Sequence, residues 1–407
     1  MLKQVVMKFG GSSVADAEKI KRVASRIKVA RKLGDHVVVV VSAPGDTTDD
    51  LLEMAHRITD SPSERELDML LATGEQVSIA LLSMALHSFN TDAVSLTGPQ
   101  AGIYADANHT RARITKILPT KIHSELAKGK VVIVAGFQGM NPNQDITTLG
   151  RGGSDLTAVA LAAAISADRC EIYTDVKGVY TADPRVVKEA KKLDRISYDE
   201  MLELAGAGSQ VMQARSIEVA KKYNVELHVR STFLEDEGTW IVREVRGMED
   251  VVVSGIAFDR NQAKLSILEI EDRPGVAAKI FGALADVRIN VDMIIQSAAS
   301  GFSNDISFTV ARTDLKKAMP ILEKVKEELG AKDILCEEKV AKVAIVGVGM
   351  RSHPGVAAKM FQTLAKAKIN IEMISTSEIK VACVLKEEDC EKAVKVLHKA
   401  FNLNSKS

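Results

Sequence analysis

At 407 residues the chain exceeds what one ordinary core organises, so two or three domains are expected. Its 46% apolar and 27% charged residues are the proportions of a globular protein in water, and Lys plus Arg equals Asp plus Glu at 54 each. That balance, with 4% aromatic residues, excludes a chain-wide electrostatic footprint for nucleic acid or an anionic membrane and leaves little material for base stacking.

The chain opens on "MLKQVVMKFGGSS", which lacks the charged start, long apolar run and small-residue cleavage site of a secretory leader. "KQVVMKF" predicts a buried strand and "HVVVVVS" a second, each short, β-branched and bounded by glycine or polar residues. Between them "DAEKIKRVASRIKVARKLG" carries apolar residues at helical spacing and a glycine stop. Where the first strand ends, "KFGGSS" places Lys8 before Gly10 and Gly11. That is the wrong side for a P-loop, whose G-x-x-x-x-G-K-[ST] pattern occurs nowhere in the chain. Glycines let backbone N–H groups approach an anion closely, and Ser12 and Ser13 can cap the next helix or donate hydroxyls. Taken alone, a lysine before such a turn is more often solvated on the surface.

After the second strand, "VSAPGDTTDDLLEMA" sets Ser42 at a strand end and Thr47 and Thr48 at a helix start, as caps or substrate contacts. "SERELDMLLATGEQVSIALLSMALHSF" predicts a long helix capped by Ser63, with Glu66 completing a capping box. Within it Glu75 interrupts an apolar run beside Thr73 and Gly74. It is either solvated or a buried carboxylate in need of a partner, such as a ligand ammonium. "DAVSLT", "KVVIVAGF" and "RCEIYTDV" predict further strands, with the alanine-rich helix "SDLTAVALAAAIS" between the last two. At the mouth of that helix stand Arg151, Gly152, Gly153, Ser154 and Asp155, a planar fork for a carboxylate beside exposed amides. Asp155 alone could simply answer the helix dipole. The stretch "YTDVKGVYTADPRVV" offers Asp175, Tyr180, Asp183, Pro184 and Arg185 to a nucleotide, or else is a turn-rich surface loop. Strands alternating with helices predict an α/β fold, a mostly parallel open sheet sandwiched by helices, with ligands at the carboxyl ends of the strands. The most apolar stretches, "VVVVVSAP" and "LTAVALAAAISA", are too short to span a bilayer.

The last third contains an internal repeat. "AKLSILEIEDRPGVAAKIFGALADVRINVDMIIQS" begins at Ala263 and "AKVAIVGVGMRSHPGVAAKMFQTLAKAKINIEMISTS" at Ala341. Pro274 aligns with Pro354 and Asn290 with Asn370, a constant offset of 80. Each copy predicts strand, Pro-Gly turn, amphipathic helix and second strand, with the proline entering the first helical turn. The charge-rich "LEDEGTWIVREVRGMED" before it predicts the join between the halves. "GVGMRSHPG" imitates a dinucleotide fingerprint, but Ser352 occupies the third glycine position, so it reads as a turn into a helix. Cys170, Cys336, Cys383 and Cys390 form no C-x-x-C pair and no ligand spacing with histidine, so reduced thiols and no protein metal site are expected.

Taken in order, "KFGGSSV", "VVVVVSAPGDTTDDLL", "RELDMLLATGEQVS", "TTLGRGGSDLTAVALAAAI" and "EIYTDVKGVYTADPR" resemble the motifs of the aspartokinases, within the amino-acid kinase superfamily. The tandem repeat is similar to the paired ACT modules that follow their kinase domain, so the resemblance covers essentially the whole chain. It implies an amino-acid kinase fold over 1–245, a ferredoxin-like α+β ACT module over 246–336 and a second over 337–407, with a strand at 250–258 available to the second. The implied activity is phosphorylation of the side-chain carboxylate of L-aspartate by ATP with Mg²⁺, giving 4-phospho-L-aspartate. This is the first step toward lysine, threonine, methionine and diaminopimelate.

Carried over position by position, the resemblance makes Lys8 and Asp155 the catalytic pair, with Phe9, Gly10, Gly11, Ser12 and Ser42 beside Lys8 at the phosphate. Thr174, Asp175, Tyr180, Asp183, Pro184, Arg185 and Gln210 would hold ATP; at Gln210 the family often has a lysine. Arg151 would grip the α-carboxylate of aspartate and Glu75 its ammonium, with Thr48, Gly152, Gly153 and Ser154 nearby. The repeats imply feedback by lysine, threonine or both. The first copy offers Asp272, Gly275, Val276, Ala277, Asn290 and Gln296, and the second Asn370, Ser375 and Thr376. An effector carboxylate suits the helix start after "EDRPGVAA", whereas "SHPG" lacks the acidic residue, so the first copy is expected to be the surer binder. The missing leader, the short apolar stretches and the reduced cysteines predict a cytoplasmic protein, and a homo-oligomer is expected; in part of the family an internal start yields a separate shorter regulatory chain. Kinases of glutamate, acetylglutamate or UMP share the glycine turns but not the paired repeats. A non-catalytic sensor would have no need of Lys8, Arg151 and Asp155 together.

Overall fold

A computed structural model describes residues 3–245, 252–298 and 303–404; the 246–250 part of the expected join, with residues 250 and 251 of the strand expected at 250–258, lies outside the described residues. The described chain forms two compact units. One comprises 3–180, 192–205 and 210–245, the other 181–191, 206–209 and the residues from 252 onward.

In the N-terminal unit, β1 (Gln4–Phe9) pairs in parallel with β2 (His36–Val41), and every β2 residue after His36 is buried. A strand covered on both faces must be apolar throughout, hence the unbroken valine run. Between them α1 (Ala17–Lys32) turns Ile20, Val23, Ala24 and Ile27 inward, the spacing of one helical face. Its cap is Asp16, whose carboxylate accepts from Lys19 N at 2.8 Å. Ser12 and Ser13 therefore do not cap it; with Gly11 they form a short 3₁₀ turn, and the Ser13 hydroxyl is buried against Thr232 Oγ1 at 2.6 Å. α2 (Thr47–Ile58) and α3 (Glu64–Ser88) follow. Neither threonine caps α2: the Thr47 hydroxyl donates to Pro44 O at 2.6 Å. Ser63 occupies the N-cap position of α3 without a side-chain capping bond, so the expected capping box is not formed.

Contrary to the expectation from the apolar runs, α3 is long and apolar enough to cross a membrane by length and composition. Half of that stretch is buried inside the fold, where it carries Asp68, Glu75 and Ser78, the pattern of a core helix. Next come β3 (Ala93–Leu96), β4 (Ile103–Ala105), β5 (Ile114–Ile117), α4 (Thr120–Ala127) and β6 (Val131–Ala135). β7 (Gln138–Met140), β8 (Ile146–Thr148), α5 (Gly153–Ala164) and β9 (Arg169–Thr174) succeed them. The unit closes with β10 (Arg195–Ser197), α6 (Tyr198–Gly206), α7 (Ala214–Tyr223), β11 (Leu227–Ser231) and β12 (Thr239–Val242).

The main sheet has the order β10-β12-β11-β9-β1-β2-β6-β3, and all pairs from β11 to β3 are parallel. Only β11–β12 is antiparallel within it. β5-β4-β7-β8 form a separate small sheet. Parallel order brings the residues that follow β1, β2, β6, β9 and β11 (Gly10, Ser42, Gly136, Asp175 and Thr232) to one edge, where open α/β sheets bind ligands.

In the C-terminal unit, β13 (Gly255–Glu271) and β16 (Asp333–Val346) are long antiparallel partners at the centre of the sheet β14-β15-β13-β16-β18-β17. β14 (Val291–Ala298) and β15 (Ser303–Ala311) flank one side, β17 (Met373–Thr376) and β18 (Lys380–Lys386) the other. Residues 255–259 of β13 pair with 342–346 of β16, and 262–268 with 333–340, so both strands run through both repeats. α8 (Val276–Asp286) and α9 (Leu315–Leu329) cover the first repeat, α10 (Val356–Lys366) and α11 (Cys390–Ala400) the second. Pro274 and Pro354 precede their helices rather than entering the first turn: the N-caps are Gly275 and Gly355, at φ 98° and 97°. Only glycine adopts that conformation without strain. The fingerprint lookalike is a 3₁₀ turn, Val348–Ser352, leading to α10.

Candidate active site

Lys8 lies next to the end of β1, and its Nζ stands 2.6 Å from Asp155 Oδ1 in the first turn of α5; the side chains are only 13% and 10% exposed. Lys8 is thus not a solvated surface residue, and Asp155 does more than answer a helix dipole. A pair drawn this far out of water loses hydration that its own attraction barely returns, so it is weak evidence for stability and better evidence for a task.

The glycines set how closely the loops meet. A Cβ on Gly11 would lie 2.7 Å from Ala43 O, and Gly45 N donates to Gly11 O at 3.0 Å, so the turn after β1 is pressed against the turn after β2. A Cβ on Gly10 would stand 3.5 Å from Lys8 Nζ, so the glycine leaves the space beside the ammonium open. Phe9 is buried and stacks on Tyr173 at 4.7 Å, which fixes the strand end. Ser12 is exposed.

α3 approaches the same turn. A Cβ on Gly74 would meet Ala43 Cβ at 2.7 Å, and this closeness lets Glu75 Oε1 accept from Ala43 N at 3.0 Å. Glu75 is 3% exposed, so the solvated reading fails, and its Oε2 is buried with no hydrogen-bond partner. Burial pushes its carboxyl up to about 7, against the smaller opposing effect of the Ala43 amide. Ser78 donates to Ser42 O at 2.7 Å, and Thr48 is half-buried in the first turn of α2.

The "GRGGSD" loop is held from several sides. Gly152 has φ 70°, and a Cβ there would fall 1.7 Å from Gln213 Cγ. Gly153 is packed against Phe137, and a Cβ on Gly136 would lie 2.6 Å from Ser154 Oγ. Arg151 is exposed and forms no ion pair among the described residues. The supports were not evident from sequence. Asp68, fully buried in α3, accepts from Thr148 Oγ1 at 2.5 Å, Thr110 N at 3.0 Å and His109 Nδ1 at 2.7 Å. Arg215 donates to Leu149 O at 2.8 Å and Ala112 O at 3.1 Å. Phe137 sits at φ 68°, a conformation few non-glycine residues hold, with its N–H on Thr157 Oγ1 at 3.1 Å. A charge inside the apolar stripe of "RELDMLL" was the available signal for Asp68.

Thr174 ends β9, and its hydroxyl accepts from Val176 N at 2.9 Å and approaches Asp175 at 3.2 Å; Asp175 is exposed. Tyr180 bridges to Lys192, and Gln210 is exposed. Asp183, Pro184 and Arg185 belong to the C-terminal unit, where Asp183 grips the Arg185 guanidinium at 2.7 and 3.1 Å and its own pKa is lowered by that contact in spite of burial. No group of three or more potential metal ligands occurs among the described residues. A Mg²⁺ that enters on the oxygens of a nucleotide needs no such cage.

In the first repeat a hollow of about 110 Å³ is lined by Asp272, Gly275, Val276, Ala277 and Gln296, with Asn304 donating to Asp272 at 2.8 Å. Asn290 is exposed and is not in that lining. In the second repeat Asn370 is exposed, and Ser375 and Thr376 pair with Ala382 and Val381.

Residues 3–231 match the Amino acid kinase family, and residues 269–325 and 343–401 match the ACT domain. The chain is 53% identical over 402 residues to an aspartate kinase of Pseudomonas putida, covering 98% of both. It is 49% identical over 404 residues to an aspartokinase of Corynebacterium glutamicum, covering 98% of this chain and 96% of that one. Among solved structures, E. coli aspartokinase III in complex with aspartate and ADP superposes with a TM-score of 0.82 at 27% identity, over 97% of this chain and 99% of that one.

Proposed function

Since the chain belongs to the aspartate kinases of the amino acid kinase family, with C-terminal ACT domains, we propose that the residues gathered around Lys8 transfer the γ-phosphoryl group of MgATP to the side-chain carboxylate of L-aspartate. The observation that carries this assignment of roles is the Lys8–Asp155 ion pair, which ties the first glycine turn to the second. The acceptor carboxylate, with an ordinary pKa of about 3.9, is already ionised at neutral pH, so no general base is needed. A carboxylate oxygen attacks the γ-phosphorus, the bond from that phosphorus to the bridging oxygen breaks, and ADP leaves without a proton transfer. The barrier lies in bringing an anion to a polyanion, and it falls through positioning and positive charge. When bound, Mg²⁺ supplies part of that charge.

Lys8 supplies a second part at the transferring group, held in place by Asp155, with Gly10 leaving room for phosphate oxygens and Gly11 letting its turn pack against the turn after β2. Phe9, Ser12 and Ser42 complete that turn. Arg151 takes the α-carboxylate as a fork, and Glu75 Oε2 takes the ammonium; an orphaned buried carboxylate suits an amino acid better than a nucleotide acceptor. Thr48, Gly152, Gly153 and Ser154 flank the amino acid. Thr174, Asp175, Tyr180, Asp183, Pro184, Arg185 and Gln210 receive the nucleotide, Gln210 by hydrogen bonding without charge. The catalytic region is 1–245 and the modules 246–336 and 337–407, in a cytoplasmic homo-oligomer.

The deciding experiment supplies the purified protein with ATP, Mg²⁺ and a panel of carboxylates, trapping acyl phosphate with hydroxylamine. Hydroxamate from aspartate alone is expected; none from any substrate rejects these residue roles.

The first-repeat hollow receives an effector amino acid, lysine or threonine, with its ammonium near Asp272 and its carboxylate at the start of α8. Asp272→Ala or Gln296→Ala is expected to raise the half-inhibitory concentration about tenfold or more while kcat stays within about twofold, because each removes a ligand contact away from the phosphoryl-transfer residues. Inhibition curves with lysine, threonine and both together check this, and unchanged curves in both variants refute the placement.

A further inference from the structure

The segment 181–191, "TADPRVVKEAK", reads in sequence as part of a nucleotide motif, yet it is built into the C-terminal unit. Its anchor is Thr181, 4% exposed. The Thr181 hydroxyl donates to Leu403 O at 3.1 Å and accepts from Lys191 N at 3.0 Å and from His398 Nε2 at 2.9 Å. A threonine hydroxyl has one proton to give and two lone pairs to fill, so this one is fully used. The arrangement requires the His398 proton on Nε2, and burial, opposed by smaller effects of Asn404 and Glu189, holds the ring below its ordinary pKa and therefore neutral. His398 is 1% exposed in α11, the last helix of the second repeat.

Further contacts seat the segment in the same place. Ile256 N donates to Thr181 O at 2.8 Å, and Ala190 bridges to Asn404. Ala182 and Val187, on either side of the Asp183–Arg185 turn, belong to the apolar core of the second repeat with Leu397 and Leu403. The turn between them stays accessible: the Arg185 side chain is 74% exposed, and Asp183 orients its guanidinium. Among the described residues the first repeat shows no equivalent: its core cluster is formed by residues from Ala263 onward.

We propose that His398 of the second repeat is a positioning residue for nucleotide binding, holding the Asp183–Arg185 turn in its receiving geometry through Thr181. This rests on the reading of that turn as a nucleotide contact. It gives the second repeat, whose own turn lacks an acidic residue, a task other than holding an effector.

The test uses the full-length enzyme with His398→Leu, Thr181→Val, the double variant, His398→Gln and Arg185→Ala. The readouts are KM for MgATP, KM for aspartate, kcat and thermal midpoint. His398→Leu and Thr181→Val should each raise KM for MgATP about tenfold with KM for aspartate unchanged, since each leaves a buried partner unsatisfied. The double variant should be no worse than either single one. His398→Gln, which keeps an N–H donor, should recover most of the loss. An unchanged KM for MgATP in both single variants overturns the proposal. So does a joint rise of both KM values with a lowered midpoint and no recovery by glutamine, which marks a merely structural histidine. Arg185→Ala separates the two layers: if KM for MgATP does not move, the nucleotide reading of the turn fails and the proposal with it. If it rises while His398→Leu has no effect, only the proposal fails.

Discussion

Lys8→Ala is expected to lower kcat by at least about a thousandfold, because in the proposed roles it removes a cation from the transferring phosphoryl group, where charge stabilisation carries the catalysis. The fold should survive. Val5, Val6, Met7 and Phe9 of β1 remain buried, and the register with β2 and β9 does not involve the lysine side chain. The variant does strand Asp155, a carboxylate about one-tenth exposed, without its partner. That costs roughly 1–3 kcal/mol, a loss a domain of ordinary stability withstands. Lys8→Ala combined with Asp155→Ala removes the stranded charge, so it should regain stability but not turnover. Urea unfolding and the hydroxamate assay on the two variants separate these effects. Near-normal turnover in Lys8→Ala would remove Lys8 from the mechanism.

Glu75→Gln is expected to raise KM for aspartate about a hundredfold, the value of a charge-assisted contact to an ammonium, with KM for ATP little changed. Its pH behaviour is more diagnostic. Burial holds the Glu75 carboxyl near 7 in the folded chain against 4.5 in the open one. In the ligand-free enzyme, the folded state therefore keeps a proton between those values that the unfolded state has released. Stability attributable to this residue is undiminished below about pH 4.5, falls as pH rises toward 7 and stays lower above it, by about 3 kcal/mol in all. Glu75→Gln escapes that loss, so it should be more stable than the parent at pH 8 and equal to it near pH 4.5. Saturating aspartate should narrow the gap in the parent, since in the proposed arrangement the ligand ammonium pairs with the ionised form. As pH drops below 7, KM for aspartate should rise about tenfold per unit in the parent and remain flat in the variant. Parallel profiles in the two proteins would place the ammonium elsewhere.

Much of the fold was legible because its signals are local. A run of five valines can only be a strand covered on both faces, and α1 shows its buried stripe at the spacing the sequence announces. The repeat in the last third was visible by comparison of the chain with itself. Boundaries and caps were less legible. Asp16 rather than Ser12 or Ser13 caps α1, and Ser63 makes no capping bond, because neighbouring polar residues compete for the same orphan N–H groups and loop geometry decides among them. Local pattern puts the two prolines one step too far into their helices, since glycine in a left-handed conformation takes the cap itself.

What the sequence by itself determined is the kind of chemistry: a lysine before two glycines, an arginine beside two more, a carboxylate in an apolar helix and a repeated regulatory module. Those follow from residue types whose conformational range and charge hold in any surroundings. What only the tertiary structure decided is which of these meet and how wet they are. Lys8 and Asp155, far apart in the chain, touch because β1 and the start of α5 share one edge of the parallel sheet. Glu75 changes from a solvated helix residue to an orphaned buried acid because Gly74 lets α3 reach the turn at Ala43. The segment 181–191 joins the second repeat through Thr181 and His398, a pairing no local pattern announces. Burial and ion pairing depend on long-range strand order and close approach, and these are properties of the packed chain rather than of any stretch of it.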